Sequence, residues 1–183
     1  DVAARKASAV STIRFQMPEA GRPVLDLVPE ASSAAVDGKQ VRMPSMLIAD
    51  TTTVRYLDQE LAAGQHTLRI EHQFTSYVAF ASLGNEVRSA FWASDLDDRQ
   101  FLEQYLPTSF EYDQYKMSMG VRITGTTRDH EIMTNGALQK VGANEFRLEF
   151  PATYNASSVF FHLMPVNAFP RVQYTYKSVD GRD

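Results

Sequence analysis

Along most of this chain apolar side chains return at every second position, the period of an extended strand with one face in a core and the other in water. Residues 145–150 show it most cleanly, with Phe146, Leu148 and Phe150 on one face and Glu145, Arg147 and Glu149 on the other. The same period runs through Ile13, Phe15 and Met17 ahead of Pro18, through Leu25 and Leu27 around Asp26, and over 67–72. Shorter apolar segments at 43–48, 54–57, 130–133 and 159–164 predict further strands. Residues 75–83 read as a strand apolar on both faces, and Val172, Tyr174 and Tyr176 alternate once more near the end. Turn signals separate these segments: Gly21 with Pro23, then Asp37-Gly38, Gly64 and Thr134-Asn135-Gly136. Asp-Gly suits a tight type I′ hairpin, whose two central residues both take positive φ. Strands spaced by about ten residues with turns between them predict a mainly β fold, an antiparallel β-sandwich or saddle-like paired sheets, and not alternating βαβ units.

One stretch departs from this period. Over 97–106, Phe101, Leu102 and Tyr105 gather on one side and Asp98, Arg99 and Gln104 lie elsewhere, which predicts a short helix that Pro107 terminates. Asp95, Asp97 and Asp98 stand where carboxylates cap the first N–H groups of a helix and meet the positive end of its dipole. An aromatic loop through Phe110 and Tyr112 follows. Alternation then resumes from Tyr115, with Met117, Met119, Val121 and Ile123 opposite Lys116, Ser118, Gly120 and Arg122.

Composition changes this picture mainly by exclusion. A chain of 183 residues, 44% hydrophobic and 22% charged, suits a single β domain over 1–183. Acidic residues outnumber basic ones 22 to 18 and the basic residues are scattered, so neither nucleic acid nor an anionic membrane is an expected partner. No apolar run has the length of a membrane span, and no signal segment fixes a compartment. The absence of cysteine removes disulfides, thiolate metal sites and a cysteine nucleophile. The four histidines, His66, His72, His130 and His162, are far apart in sequence. His130-Glu131-Ile132-Met133-Thr134 opens like the zinc motif H-E-x-x-H, but Thr134 stands where the second ligand must be and the segment reads as a strand, so His130 is taken as a surface or hairpin histidine. Nucleophile-elbow, dinucleotide and P-loop motifs are missing. The remaining chemistry is carboxylates such as Glu103 and Asp113, and the rings around 91–115, among which Trp92 and Tyr112 are candidates to touch a ligand or a neighbouring domain. A chain beginning at Asp1 is expected to be processed or excised from a longer polypeptide.

The order of these features resembles the N-terminal domain of the zinc aminopeptidases related to alanyl aminopeptidase and leukotriene-A hydrolase. The resemblance runs over 13–164. It is carried by the hairpin Ala35-Val36-Asp37-Gly38-Lys39 and by a Gly-x-x-x-Leu-x-Ile pattern made by Gly64, Leu68 and Ile70. It continues with Arg99, Phe101, Tyr105 and Pro107 ahead of the strand from Tyr115, and with Thr134-Asn135-Gly136. The match is incomplete: Phe101-Leu102 lacks the family's Phe-Pro, Leu106-Pro107 lacks a preceding acid, and no Gln stands near Trp92 or Ala93 to meet a substrate's N-terminus. The resemblance implies a non-catalytic β domain that packs on and caps a zinc-bearing catalytic domain of the same polypeptide, with zinc and peptide substrate belonging to that absent domain. Its interface or ligand candidates are Trp92, Arg99, Tyr105, Tyr112 and Asn135. The alternative is a free-standing β-sandwich that binds glycan, peptide or protein.

Overall fold

The computed structural model describes residues 1–48, 53–73, 89–91, 102–109, 113–155, 158–168, 170–175 and 179. The strands among them pair antiparallel throughout, and helix among the described residues is the 3₁₀ turn over Leu102–Gln104 and a 3₁₀ residue at Ser158.

The first half holds β1 (Ser8–Met17), β2 (Val24–Asp26), β3 (Ala31–Val36), β4 (Lys39–Gln40), β5 (Ser45–Ile48), β6 (Thr53–Tyr56) and β7 (Gly64–Gln73). They form one sheet in the order β1-β7-β3-β4 and a second in the order β2-β6-β5. Between the sheets lies an apolar cluster that includes Leu25, Leu27, Val36, Leu57, Leu68 and Ile70, with Ile13, Phe15 and Met17 from β1 partly covering it. The Asp37-Gly38 reversal joins β3 to β4 with φ of 49° and 80°, the double positive φ expected of its sequence. Asp37 also accepts from the Thr67 N–H at 2.8 Å, which ties the tip of the hairpin to β7.

The second half holds β8 (Ser89–Phe91), β9 (Met117–Arg122), β10 (His130–Thr134), β11 (Ala137–Gly142), β12 (Glu145–Phe150) and β13 (Phe161–Pro165). Their sheets run β11-β12-β9 and β10-β13-β8. Phe146, Leu148 and Phe150 point inward and Arg147 and Glu149 outward, as the alternation predicts. They meet Ile132, Val159, Phe161 and Leu163 in a second cluster, which also takes in Val2, Leu102 and Tyr105. Gly136 is fixed by contact: a Cβ there would sit 2.8 Å from the Phe150 ring.

Of the short helix expected near 97–106, the described residues hold a 3₁₀ turn over Leu102–Gln104, and 97–101 fall outside them. Two expectations meet a different outcome. Residues 170–175 alternate but join no strand, leaving Val172 68% and Tyr174 85% exposed; the pattern is right for a strand and no sheet edge lies along it. His130 is buried and not a surface residue, because β10 pairs with β13 and turns the ring inward, where Nδ1 lies 2.9 Å from the Arg128 carbonyl. β11, which the sequence reading passed over, is exposed along most of its length, with Leu138 and Val141 facing water. The expected 75–83 strand lies outside the described residues.

Each half carries its own core, so Ile70→Ala in the first and Leu148→Ala in the second should each cost about 2–5 kcal/mol. Urea denaturation checks this. A loss below about 1 kcal/mol at either fully buried position would show that its cluster is not a packed core.

Candidate functional site

Two places where the halves meet are candidates for function. The first is the segment 102–108. Its side chains and its backbone belong to different halves. Leu102 and Tyr105 are buried in the second cluster. The backbone bonds to the first half: Val28 N–H donates to the Glu103 carbonyl at 2.9 Å, and Asp26 and Thr108 exchange N–H···O bonds of 3.0 and 2.9 Å. His72, buried on β7, adds a bond of 2.6 Å from Nε2 to the Tyr105 carbonyl. A carbonyl only accepts, so Nε2 carries the proton, and burial lowers the His72 pKa against the opposing pull of that bond. His72 is therefore a neutral donor across the junction at neutral pH.

Arg55 supports the same region from below. It is buried, and its guanidinium donates to the carbonyls of Leu27 at 2.7 Å and Val28 at 3.1 Å, which fixes the loop that bonds Glu103. Tyr115 lies just beyond the junction, its hydroxyl buried. Burial first, then the nearby Glu103 and Asp113 carboxylates, push its pKa up to about 12, so it stays a neutral phenol.

The second place is a cleft of about 1530 Å³ between β1 and β9. Its floor includes Leu68, Tyr105, Leu106, Phe161 and Leu163. Backbone bonds tie the chain at both ends, Val2 N–H to the Thr124 carbonyl at 2.8 Å ahead of β1, and the Asp26–Thr108 pair between the halves. At the first end Gly125 has φ of 72°, and a Cβ there would sit 2.9 Å from the Ala3 backbone nitrogen, so the position favours glycine.

Of the five residues singled out in sequence, Tyr105 and Asn135 are described, and Trp92, Arg99 and Tyr112 fall outside the described residues. Tyr105 contributes its ring to the core and its carbonyl to His72. Asn135 uses both ends of its amide on one loop, donating to the Ser158 carbonyl at 2.7 Å and accepting from Phe160 N–H at 2.9 Å. The structure does not bring these two together at one site. The cleft has no sequence motif, because it arises from which strands end up at sheet edges.

The described residues do not fit a zinc site. His66 bonds Asp37 and the Ala62 carbonyl, His72 bonds Tyr105, and His130 lies against Arg128. Among the described residues no group of three or more His, Cys, Asp or Glu side chains could hold a metal ion.

No family model matches the sequence, and no curated protein matches it significantly. Solved structures do. Yeast LTA4 hydrolase in complex with bestatin matches 86% of this chain with a TM-score of 0.53 at 11% identity. An M1 zinc metallopeptidase from Deinococcus radiodurans matches 86% with a TM-score of 0.51 at 17% identity, and a two-domain M1 zinc metallopeptidase mutant bound to L-tryptophan matches 87% with 0.54 at 16%. The chain shares its fold with the M1 zinc metallopeptidases. It spans 26%, 37% and 38% of the lengths of those three chains. In this M1-like fold the junction and the cleft are both features of the β domain itself.

The two titrating histidines give opposite pH signatures. Bonding to Asp37 raises the His66 pKa above 6.5 and lowers the Asp37 pKa below 3.8. The His66 contribution is full below 6.5 and lost as pH rises through its raised value; the Asp37 contribution is full above 3.8 and lost as pH falls through its lowered value. His72 acts the other way, since the unfolded chain takes up the proton first as pH falls through 6.5 and stability drops from there downward. Asp37→Asn should therefore lower Tm more at about pH 5 than at about pH 9. Thermal melts across that range test it, and an equal loss at both ends contradicts the pairing.

Proposed function

We propose that this chain is the non-catalytic N-terminal domain of a zinc metallo-aminopeptidase, where it packs on and caps the domain that holds the zinc. The observation that carries the reading is the fold match over 86–87% of this chain to about a quarter to two fifths of larger zinc metallopeptidases. Its surface supports a packing role. The edge strand β5 exposes three consecutive apolar side chains, Met46 at 64%, Leu47 at 56% and Ile48 at 73%, a run that a second domain would remove from water. In this reading zinc, substrate peptide and hydrolysis belong to the remainder of the polypeptide, and residues 1–183 shape one wall of its active site and keep bulk water from it. A domain of this kind contributes through geometry: it narrows access and orients an extended substrate, and it transfers no proton and attacks no bond.

The test begins with the coding sequence that follows Asp183. A metallopeptidase domain with H-E-x-x-H is expected there. The joined polypeptide should cleave aminoacyl p-nitroanilides, the isolated chain supplied with zinc should not, and Leu47→Asp in the joined polypeptide should lower its Tm. A following sequence without such a domain overturns the reading.

A further inference from the structure

The cleft is flanked by two strand edges that no other strand covers among the described residues, where β1 pairs only with β7 and β9 only with β12. Every residue over 6–15 and 113–124 lines the opening, so both free rows of N–H and C=O groups are directed at the same space. Its volume of about 1530 Å³ exceeds the roughly 300–1,000 Å³ of pockets shaped for small molecules.

The two strands present matched faces to whatever lies between them. Ser11, Ile13 and Phe15 of β1 and Met117, Met119 and Val121 of β9 are half-buried and turned toward the cores, while Val10, Thr12, Arg14, Ser118 and Arg122 are exposed. An intervening strand would continue both layers, placing alternate side chains over Leu106, Phe161 and Leu163 and the others in water. The outer layer is basic. Lys6, Arg14 and Lys116 are exposed and form no ion pair among the described residues, and Arg122 pairs with Glu145. Neither β1 nor β9 contains an acid. The acids lining the opening, Asp1, Asp113 and Glu149, lie off these two strands: Asp113 accepts from the Ser109 hydroxyl, Asp1 accepts from the Ala4 N–H, and Glu149 stands on β12 opposite Ser118.

We infer that the cleft receives an extended peptide as an added strand between β1 and β9, apolar on the side facing the floor and acidic on the side facing water. Main-chain bonds to two edges supply the attachment, and alternation with charge supplies the selection. This inference stands on the chain's own surface and does not depend on a catalytic domain following it.

The probe is an acetylated, amidated nonapeptide alternating Glu and Val, with a Lys and Val peptide of the same length as its counterpart, added to the purified chain and followed by hydrogen exchange. Slower exchange across 8–17 and 117–122 with the Glu peptide alone is expected. An Arg14→Glu/Lys116→Glu double variant, whose substitutions are on the surface and whose melting curve reports folding independently, should weaken binding by about tenfold or more, since it places like charges opposite the peptide. Equal binding of both peptides, no protection by either, edges already protected without peptide, or edges protected by dimerisation as concentration rises would each overturn it.

Discussion

The segment 102–108 is fastened in two directions, and the rest of the architecture depends on it. Leu102 and Tyr105 are buried among residues of the second half, a contribution of about 1.5–3 kcal/mol for each large apolar side chain. The backbone of the same segment is bonded to the first half, Glu103 to Val28, Tyr105 to His72 and Thr108 to Asp26, at about 0.5–1.5 kcal/mol net for each bond. Neither set can be exchanged for water without exposing the other, because a carbonyl that loses its donor inside a core costs more than the bond was worth. At the far end the N-terminal residues are held by the second half alone, with Val2 in the second core and its N–H on Thr124 ahead of β1. Contacts at the two ends, with no ladder along the length among the described residues, leave β1 and β9 apart on either side of the cleft.

How much of this was visible beforehand depends on whether a feature is local. The 145–150 alternation emerges as β12 residue for residue, and Asp37-Gly38 takes the double positive φ its chemistry favours. Both are decided by the backbone within a few positions. Val172 and Tyr174 have the same alternation and no strand, since a pattern shows only that a face could be buried and a partner must exist to bury it. His130 looked like an incomplete metal motif in a hairpin and is a buried strand residue, a fact set by pairing with β13, about thirty residues away in sequence. Tyr105 drew attention as an aromatic residue near a predicted helix end. Sequence could not show that its ring would sit in one core while its carbonyl served the other half. Edge strands are invisible in sequence, so the cleft was as well.

The relation to the zinc metallopeptidases gives these features a common sense. Under the proposed packing role, a β domain matched to 26–38% of larger chains has to hold its own shape and still offer surfaces to what lies beside it. The contacts at the two ends address the first need and are buried. The exposed apolar run on β5 and the open edges of β1 and β9 address the second, and they lie on different sheets, so contact with another domain and capture of an extended segment need not compete.

The coupling of the two halves through 102–108 is most directly tested by native-state hydrogen exchange at Ile70 in β7 and Leu148 in β12, compared between the wild-type chain and Thr108→Pro, which removes the donor to Asp26. In the wild-type chain the two amides should open with one shared free energy, and in the variant they should separate by about 1 kcal/mol or more. Two amides that already open independently in the wild-type chain, by a gap that Thr108→Pro leaves unchanged, would contradict the coupling.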